Sequence, residues 1–295
     1  MLQQTRMEVV LPYFARFLER FPSVAALAAA TEDEVTSAWS GLGYYRRAKM
    51  LRAGALAVAG RFGGTVPSTV GELLTIPGIG RYTAGAIASV AFDARAPIVD
   101  GNVTRVTARI FGSNADPWPR AEALVNACRS PRALNQALME LGALLCTPRN
   151  PSCLLCPVRT ECVALREGTV ELLPRPKEKP ATRALSIPLY LIVDRRGRVL
   201  MRREAGPLMK GMYHLPHGNA SLLDGGPLDA TPRKLLGTFR HTVTTRRIEF
   251  QLFTADVRRV RDSPGDYQWI DPAAMGNVPH PSYVRKALQL ARLQE

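Results

Sequence analysis

The stretch LLTIPGIGRYTA, residues 73–84, decides how the first half of this chain folds. Apolar residues at helical spacing lie on both sides of it, so it is expected to join two helices. Pro77 fixes the backbone where the turn begins, and Gly78 and Gly80 permit a tight turn. Backbone N–H groups at the start of the second helix can hold a phosphate oxygen. The stretch therefore predicts a hairpin that binds a DNA backbone without reading sequence, although a Pro-Gly turn between helices also arises by chance.

Four cysteines follow this region in the spacing C-x6-C-x2-C-x5-C. They are Cys146, Cys153, Cys156 and Cys162. Four thiolates within 17 residues can enclose a [4Fe-4S] cluster, because sulfur suits iron and short loops let every ligand converge. Zinc is the main alternative, but zinc sites usually have two cysteine pairs separated by a longer insert; unliganded thiols are the other alternative. Cys128 is expected to be a small buried hydrophobe on a helix.

The length, charge and cysteine content of the chain indicate its domain number, its type of partner and its cellular compartment. Its 295 residues suggest two domains. With 39 Lys and Arg against 25 Asp and Glu, the net charge is +14, which favours a polyanionic partner; a generally basic proteome from a GC-rich organism would also explain it. Clustered cysteines argue against a secreted disulfide framework. No apolar run reaches the roughly 18 to 20 residues of a membrane span, and no signal peptide is evident. We expect a cytoplasmic protein without membrane association.

The pattern of apolar residues divides the chain into two predicted domains and a linker. Residues 1–168 have helical spacing with Gly and Pro at the joints, which predicts an all-α domain; Thr31 and Glu34 match a capping box. Residues 169–183 are rich in proline and charge and predict a linker. Residues 184–295 contain β-rich runs and a closing helix, which predicts a smaller α/β domain with an antiparallel or mixed sheet. The predicted strands and helix are at residues 185–193, 198–202, 248–257 and 281–293.

Asp100 is the main candidate for chemistry. It ends a short apolar stretch in the run IVDGNVTR, residues 98–105, and Gly101 follows it. The run predicts a carboxylate held at the start of a helix. Helix capping is the ordinary role of Asp at such a position.

In this order, the hairpin, the Val-Asp-Gly-Asn run and the four cysteines resemble the helix-hairpin-helix DNA glycosylases of the endonuclease III superfamily. The runs MLQQT at residues 1–5 and GLGYY at residues 41–45, together with a second domain, resemble the adenine DNA glycosylases of the MutY type. The resemblance covers the whole chain, densely to about residue 168. It implies a helical glycosylase region with a [4Fe-4S] cluster loop at residues 146–162, followed by a Nudix-like (MutT-like) domain.

The resemblance also implies a reaction. Relatives of this type act in base excision repair and hydrolyse the N-glycosidic bond of adenine paired with 8-oxoguanine or guanine, after flipping the adenine out of the duplex. Asp100 would stabilise the positive charge that develops on the sugar, with support from Asn102. Tyr82 stands where bifunctional relatives have a Schiff-base lysine, so a monofunctional enzyme is expected. The expected partner is double-stranded DNA, bound by a monomer that is nucleoid-associated while on DNA.

Further DNA contacts follow from the same resemblance. Gln3, Gln4 and Tyr44 would contact the helix around the lesion, and Glu140 would face the extruded adenine. A core aromatic is the ordinary alternative for Tyr44. A solvated helix charge is the ordinary alternative for Glu140.

The C-terminal region departs from the family pattern at the loop that reads 8-oxoguanine. The family has Phe-Ser-His there, and this chain has Val243, Thr244 and Thr245. Thr244 keeps the hydroxyl, but the aromatic and the histidine are missing, so the strength of 8-oxoguanine discrimination stays open. The Glu-rich box of Nudix hydrolases is also missing, so nucleotide hydrolysis is not expected.

The general acid of the family is a glutamate two residues before the methionine of the MLQQT run, and this sequence begins at that methionine. One expectation is a start codon set downstream of the true one, which the intact Asp100, Tyr82 and cysteines favour. The other is a homologue that binds the lesion without cleaving it. Loss of a general acid costs about 10²- to 10⁴-fold in rate, so slow excision is expected of the sequence as given. A thymine-glycol-type glycosylase-lyase is disfavoured by Tyr82 and by the second domain.

Overall fold

The structure is a computed structural model that describes residues 1–2, 5–175, 182–204, 211–217, 229–243, 246–259 and 267–293. Gln3, Gln4, Thr244 and part of the predicted linker lie outside the described residues. Within the described part, no helix combines the length and the apolarity that a membrane span requires.

The chain forms two compact units, and one of them is discontinuous in sequence. The first unit combines Met1–Leu56 with Pro180–Glu295, and the second is Ala57–Lys179. The break near residue 180 lies within the predicted linker, whereas the break after Leu56 has no counterpart in the sequence-based division. The domain boundaries at residues 168 and 184 stay a prediction.

The first unit begins with helices whose apolar faces form a common core. The helices are α1 (Met7–Arg20), α2 (Val24–Ala29), α3 (Glu32–Ala38) and the first part of α4 (Arg46–Arg61). Thr31 caps α3 as predicted: its side chain accepts a hydrogen bond from the Glu34 N–H at 3.2 Å, and the Glu34 carboxylate accepts from the Thr31 N–H at 2.8 Å. Phe17, Val35 and Trp39 are buried between the helices.

Two three-stranded sheets make up the rest of the first unit, and they confirm the α/β prediction. The strands are β1 (Arg183–Leu191), β2 (Val199–Arg203), β3 (Tyr213–His214), β4 (Asp229–Val243), β5 (Arg246–Arg259) and β6 (Tyr267–Ile270). One sheet is mixed, with β5 parallel to β1 and antiparallel to β4, and the other has the antiparallel order β3-β2-β6. Helix α11 (Ser282–Leu290) buries Val284 and Leu288 in a core with Leu189, Met201 and Leu252.

The second unit is helical, as predicted. Its helices after α4 are α5 (Val70–Leu74), α6 (Arg81–Ala86), α7 (Gly101–Ile110), α8 (Pro117–Ala127), α9 (Pro131–Leu144) and α10 (Val163–Arg166). Helices α7 and α9 bury Val103, Val106 and Leu138 between them. Cys128 was expected to be buried on a helix, but it lies half-buried at the C-terminal cap of α8, because its backbone is extended (φ −82°, ψ 162°) and the helix ends at Ala127.

Candidate active site and DNA interface

Asp100 is the N-cap of α7, and both oxygens of its carboxylate are held. Oδ1 accepts a hydrogen bond from the Val103 N–H at 2.7 Å, and Oδ2 accepts from Asn102 Nδ2 at 3.1 Å. The side chain is half-buried. Capping and catalysis are therefore compatible roles here: the cap fixes the direction of the carboxylate, and Asn102 holds the second oxygen.

Tyr82 lies on α6 within electrostatic range of this carboxylate. Burial raises the pKa of its phenol, and the negative charge of Asp100 raises that pKa further. The phenol is thus neutral at physiological pH, and a phenol cannot form a Schiff base. The structure brings Tyr82, Asp100 and Asn102 into one neighbourhood.

Arg105 is a residue of this site that the sequence reasoning missed. Its Nη2 donates to Asn102 Oδ1 at 2.9 Å and to the Gly142 carbonyl at 2.7 Å, and its Nε donates to the Cys146 carbonyl at 2.7 Å. It therefore fixes the Asn102 amide so that Nδ2 faces Asp100. Asn102 and Arg105 are three residues apart on α7, and this spacing was the signal available in the sequence.

Helix α9 reaches the site through a close backbone approach. A Cβ atom at Gly142 would lie 2.6 Å from Asn102 Cβ and 3.1 Å from its Cα, so only glycine fits there. Glu140, two residues earlier, is exposed to solvent. Its predicted contact with an extruded base stays a prediction.

The hairpin between α5 and α6 forms as predicted, but only one of its two glycines has a backbone conformation that favours glycine. Gly78 has a φ of +84°, in the region that favours glycine. Gly80 is the N-cap of α6 with a φ of −95°, which any residue can adopt, and a Cβ atom there would meet nothing within 4 Å. Gly80 is therefore not needed for the turn itself; it leaves the surface at the start of α6 open.

An ordered cation lies next to this open surface. The Arg81 guanidinium stacks over the Trp118 ring, with its Cζ 3.8 Å from the ring centroid, and the Arg81 side chain remains exposed. Neither residue was selected from the sequence. Arg81 directly follows Gly80, and that adjacency was the available signal.

The four cysteines of the cluster motif are all half-buried. Burial, followed by the thiols of Cys146, Cys162 and Cys156, raises the pKa of Cys153, so these three thiols lie within electrostatic range of Cys153. Buried Arg109 adds positive charge: its Nη1 donates to Cys146 Sγ at 3.4 Å.

The four cysteines are the soft donor type that an iron-sulfur cluster takes as ligands. No group of three or more His, Cys, Asp or Glu side chains converges on one ion position within the described ranges. Four cysteine sulfurs beside an arginine provide the chemistry that a [4Fe-4S] cluster needs.

A separate feature belongs to the first unit, the turn at residues 40–45. Tyr44 is 53% exposed and has a φ of +49°, and Gly41 and Gly43, which precede it, have φ values of +105° and +72°. The alternative of a core aromatic for Tyr44 is thereby wrong. The Arg47 guanidinium lies 5.5 Å from the Tyr44 ring centroid and donates to the Met1 carbonyl at 3.0 Å.

Known proteins resemble this chain in sequence and in structure. Residues 1–130 match the HhH-GPD superfamily of base excision DNA repair proteins. Adenine DNA glycosylase from Rattus norvegicus is 46% identical over 187 residues, which are 59% of this chain and 36% of that protein. Adenine DNA glycosylase from Buchnera aphidicola subsp. Schizaphis graminum is 37% identical over 188 residues, which are 61% of this chain and 54% of that protein. The chain thus aligns with about a third to a half of the length of these relatives.

A solved structure described as a thermostable thymine-DNA glycosylase has a TM-score of 0.52 and 29% identity, covering 56% of this chain and 80% of that one. The residues that match the family model include the hairpin at residues 73–84 and Asp100. Residues 1–130 of this chain are therefore similar to the HhH-GPD superfamily of base excision DNA repair proteins.

Proposed function

We propose that this protein is a monofunctional adenine DNA glycosylase that removes adenine paired with 8-oxoguanine or guanine. One observation supports the chemistry most directly: the Asp100 carboxylate is fixed by the Val103 N–H and by Asn102, in the neighbourhood of Tyr82. The adenine DNA glycosylases that resemble this chain at 37% to 46% identity support the substrate.

Breaking an N-glycosidic bond leaves positive charge on the sugar. An anionic carboxylate that is already oriented stabilises this charge without having to reorganise. Asn102 and the Val103 N–H hold Asp100 in one orientation, and Arg105 holds Asn102. The adenine departs with the bonding electron pair and takes up a proton, while water adds to the sugar cation and releases a proton. Tyr82 offers no amine that could capture the sugar in place of water.

Cys146, Cys153, Cys156 and Cys162 would hold a [4Fe-4S] cluster in this protein. When bound, the cluster would supply a rigid cross-link for the loop at residues 146–162. Arg105 and Arg109 join that loop to α7: Arg105 donates to the Cys146 carbonyl, and Arg109 Nη1 donates to the Thr147 carbonyl at 2.7 Å. The loop therefore fixes the helix whose N-terminus carries Asp100.

Double-stranded DNA is the proposed partner. The net charge of +14, the open start of α6 and the ordered Arg81 side chain suit a phosphate backbone. By resemblance, Gln3, Gln4 and exposed Tyr44 act around the lesion, Glu140 faces the extruded adenine, and Thr244 belongs to a Nudix-like region that reads 8-oxoguanine. We place the protein in the bacterial cytoplasm, as a monomer.

The test is an excision assay on duplexes that contain adenine opposite 8-oxoguanine, guanine or thymine. The protein is expressed from its gene with any in-frame codons that precede Met1, and the sequence starting at Met1 is assayed beside it. We expect free adenine to be released opposite 8-oxoguanine and guanine. The strand should break only after alkali, and borohydride should trap no covalent complex. Selective binding of the mispair without any release of adenine would instead identify a lesion-binding protein.

A further inference from the structure

The turn that carries Tyr44 is fixed to residues near the C-terminus of the chain, within the first unit. The Tyr45 hydroxyl donates to the His280 carbonyl at 2.9 Å and accepts from the Gly41 N–H at 3.3 Å. One side chain thus joins the first residues of the turn to a segment 235 positions away.

Other contacts support the same connection. The His280 N–H donates to Ser40 Oγ at 3.4 Å, and Ser37 Oγ donates to the Gly276 carbonyl at 2.9 Å. His280 is 2% exposed, so its carbonyl is held in a closed environment. Hydrogen bonds at Gly276 and His280 therefore fix the segment at residues 276–280 against residues 37–45.

The Tyr45 hydroxyl keeps its proton across the physiological range. Burial raises the pKa of Tyr45 to about 12, so the group remains a donor to the His280 carbonyl. Gly41 is closely packed against Tyr13, because a Cβ atom at Gly41 would lie 2.2 Å from the Tyr13 hydroxyl oxygen. The turn is thus held at Gly41 and Tyr45, while Tyr44 between them points into solvent with a strained φ.

We propose that Tyr45 is a positioning residue, through which the segment at residues 276–280 holds the exposed Tyr44 ring in the orientation that DNA meets. This rests on the proposed function, in which Tyr44 contacts DNA around the lesion. The C-terminal region then has a role beyond reading the base opposite adenine: it supports the aromatic side chain that enters the duplex.

The experiment is a double-mutant cycle with Tyr44→Ala and Tyr45→Phe, read out by duplex affinity and by amide hydrogen exchange of the free protein. Tyr45→Phe keeps the ring and removes only the hydroxyl. Its matched control is Tyr190→Phe, which removes one hydroxyl from a half-buried tyrosine on β1. We expect Tyr45→Phe to speed exchange at the Gly41 amide and to weaken binding to a duplex with adenine opposite 8-oxoguanine by about 3- to 10-fold. In the Tyr44→Ala background, Tyr45→Phe should cause no further loss of affinity.

Two results would overturn the proposal. One is unchanged exchange at Gly41 in Tyr45→Phe. The other is an equal loss of affinity with and without the Tyr44 ring, which would indicate a general effect on folding. If the wild-type protein binds no duplex, the proposed function fails, and the exchange at Gly41 alone then decides whether Tyr45 fixes the turn.

Discussion

The contact between Gly142 and Asn102 makes a sharp prediction for Gly142→Ala. The new methyl group would start 2.6 Å from Asn102 Cβ, whereas carbon atoms need about 3.5 Å or more. Asn102 must therefore move by roughly 1 Å. Its Nδ2 lies 3.1 Å from Asp100 Oδ2, so such a shift breaks the hydrogen bond. Overpacking of this kind costs about 1–3 kcal/mol of stability, and a misplacement of about 1 Å can cost 10²-fold in rate.

The matched control is Gly71→Ala, because a Cβ atom at Gly71 on α5 would meet nothing within 4 Å. Both variants gain the same kind of helix propensity, about 1 kcal/mol at most. We expect Gly142→Ala to have a free energy of unfolding lower than that of Gly71→Ala by about 1–3 kcal/mol in urea titrations. Under single-turnover conditions, it should release adenine about 10²-fold more slowly. Equal stability and equal rates in the two variants would refute the reasoning, since Asn102 would then tolerate the methyl group without moving.

Two further predictions concern the cluster and the hairpin. The anaerobically purified protein should be yellow-brown with about four irons per chain; Cys153→Ser should lower the iron content and Cys128→Ser should not, and a colourless, folded protein with one zinc would contradict this. Duplex affinity should fall steeply with salt, and Gly80→Asp should weaken it because it places negative charge where a phosphate would lie. Gly80→Ala should fold and bind almost normally, since its Cβ meets nothing within 4 Å; an equal loss in both variants would mean that bulk rather than charge matters.

Local sequence signals predicted the parts of the fold that depend on neighbouring residues. The cap of Thr31 on α3, the hairpin turn at Gly78 and the position of Asp100 at the start of α7 follow from contacts within about four residues. Such contacts leave a pattern in the sequence, because the residue types that satisfy a helix terminus or a positive φ are few.

The remaining features depend on contacts between distant residues, and these leave no local pattern. Ser37 and Gly276 are 239 positions apart, so nothing near either residue predicts that the first helices contact the C-terminal part of the chain. The guanidinium of Arg105 donates to the backbone carbonyl groups of Gly142 and Cys146. Every residue has such a carbonyl, whatever its side chain, so the sequence does not show which carbonyl an arginine contacts. Arginine partners of this kind become visible only when the fold is known.

Asp100→Asn tests the central claim most directly, because Asn and Asp are similar helix caps but only Asp carries the charge. The measurement is the single-turnover rate of adenine release from a duplex with adenine opposite 8-oxoguanine, for the wild-type protein and for Asp100→Asn, both expressed with any in-frame codons that precede Met1. We expect release by the wild-type protein and a loss of about 10²-fold or more in the variant, with the free energy of unfolding nearly unchanged. Equal rates of release in the two proteins would contradict the assignment of Asp100 as the group that stabilises the sugar cation.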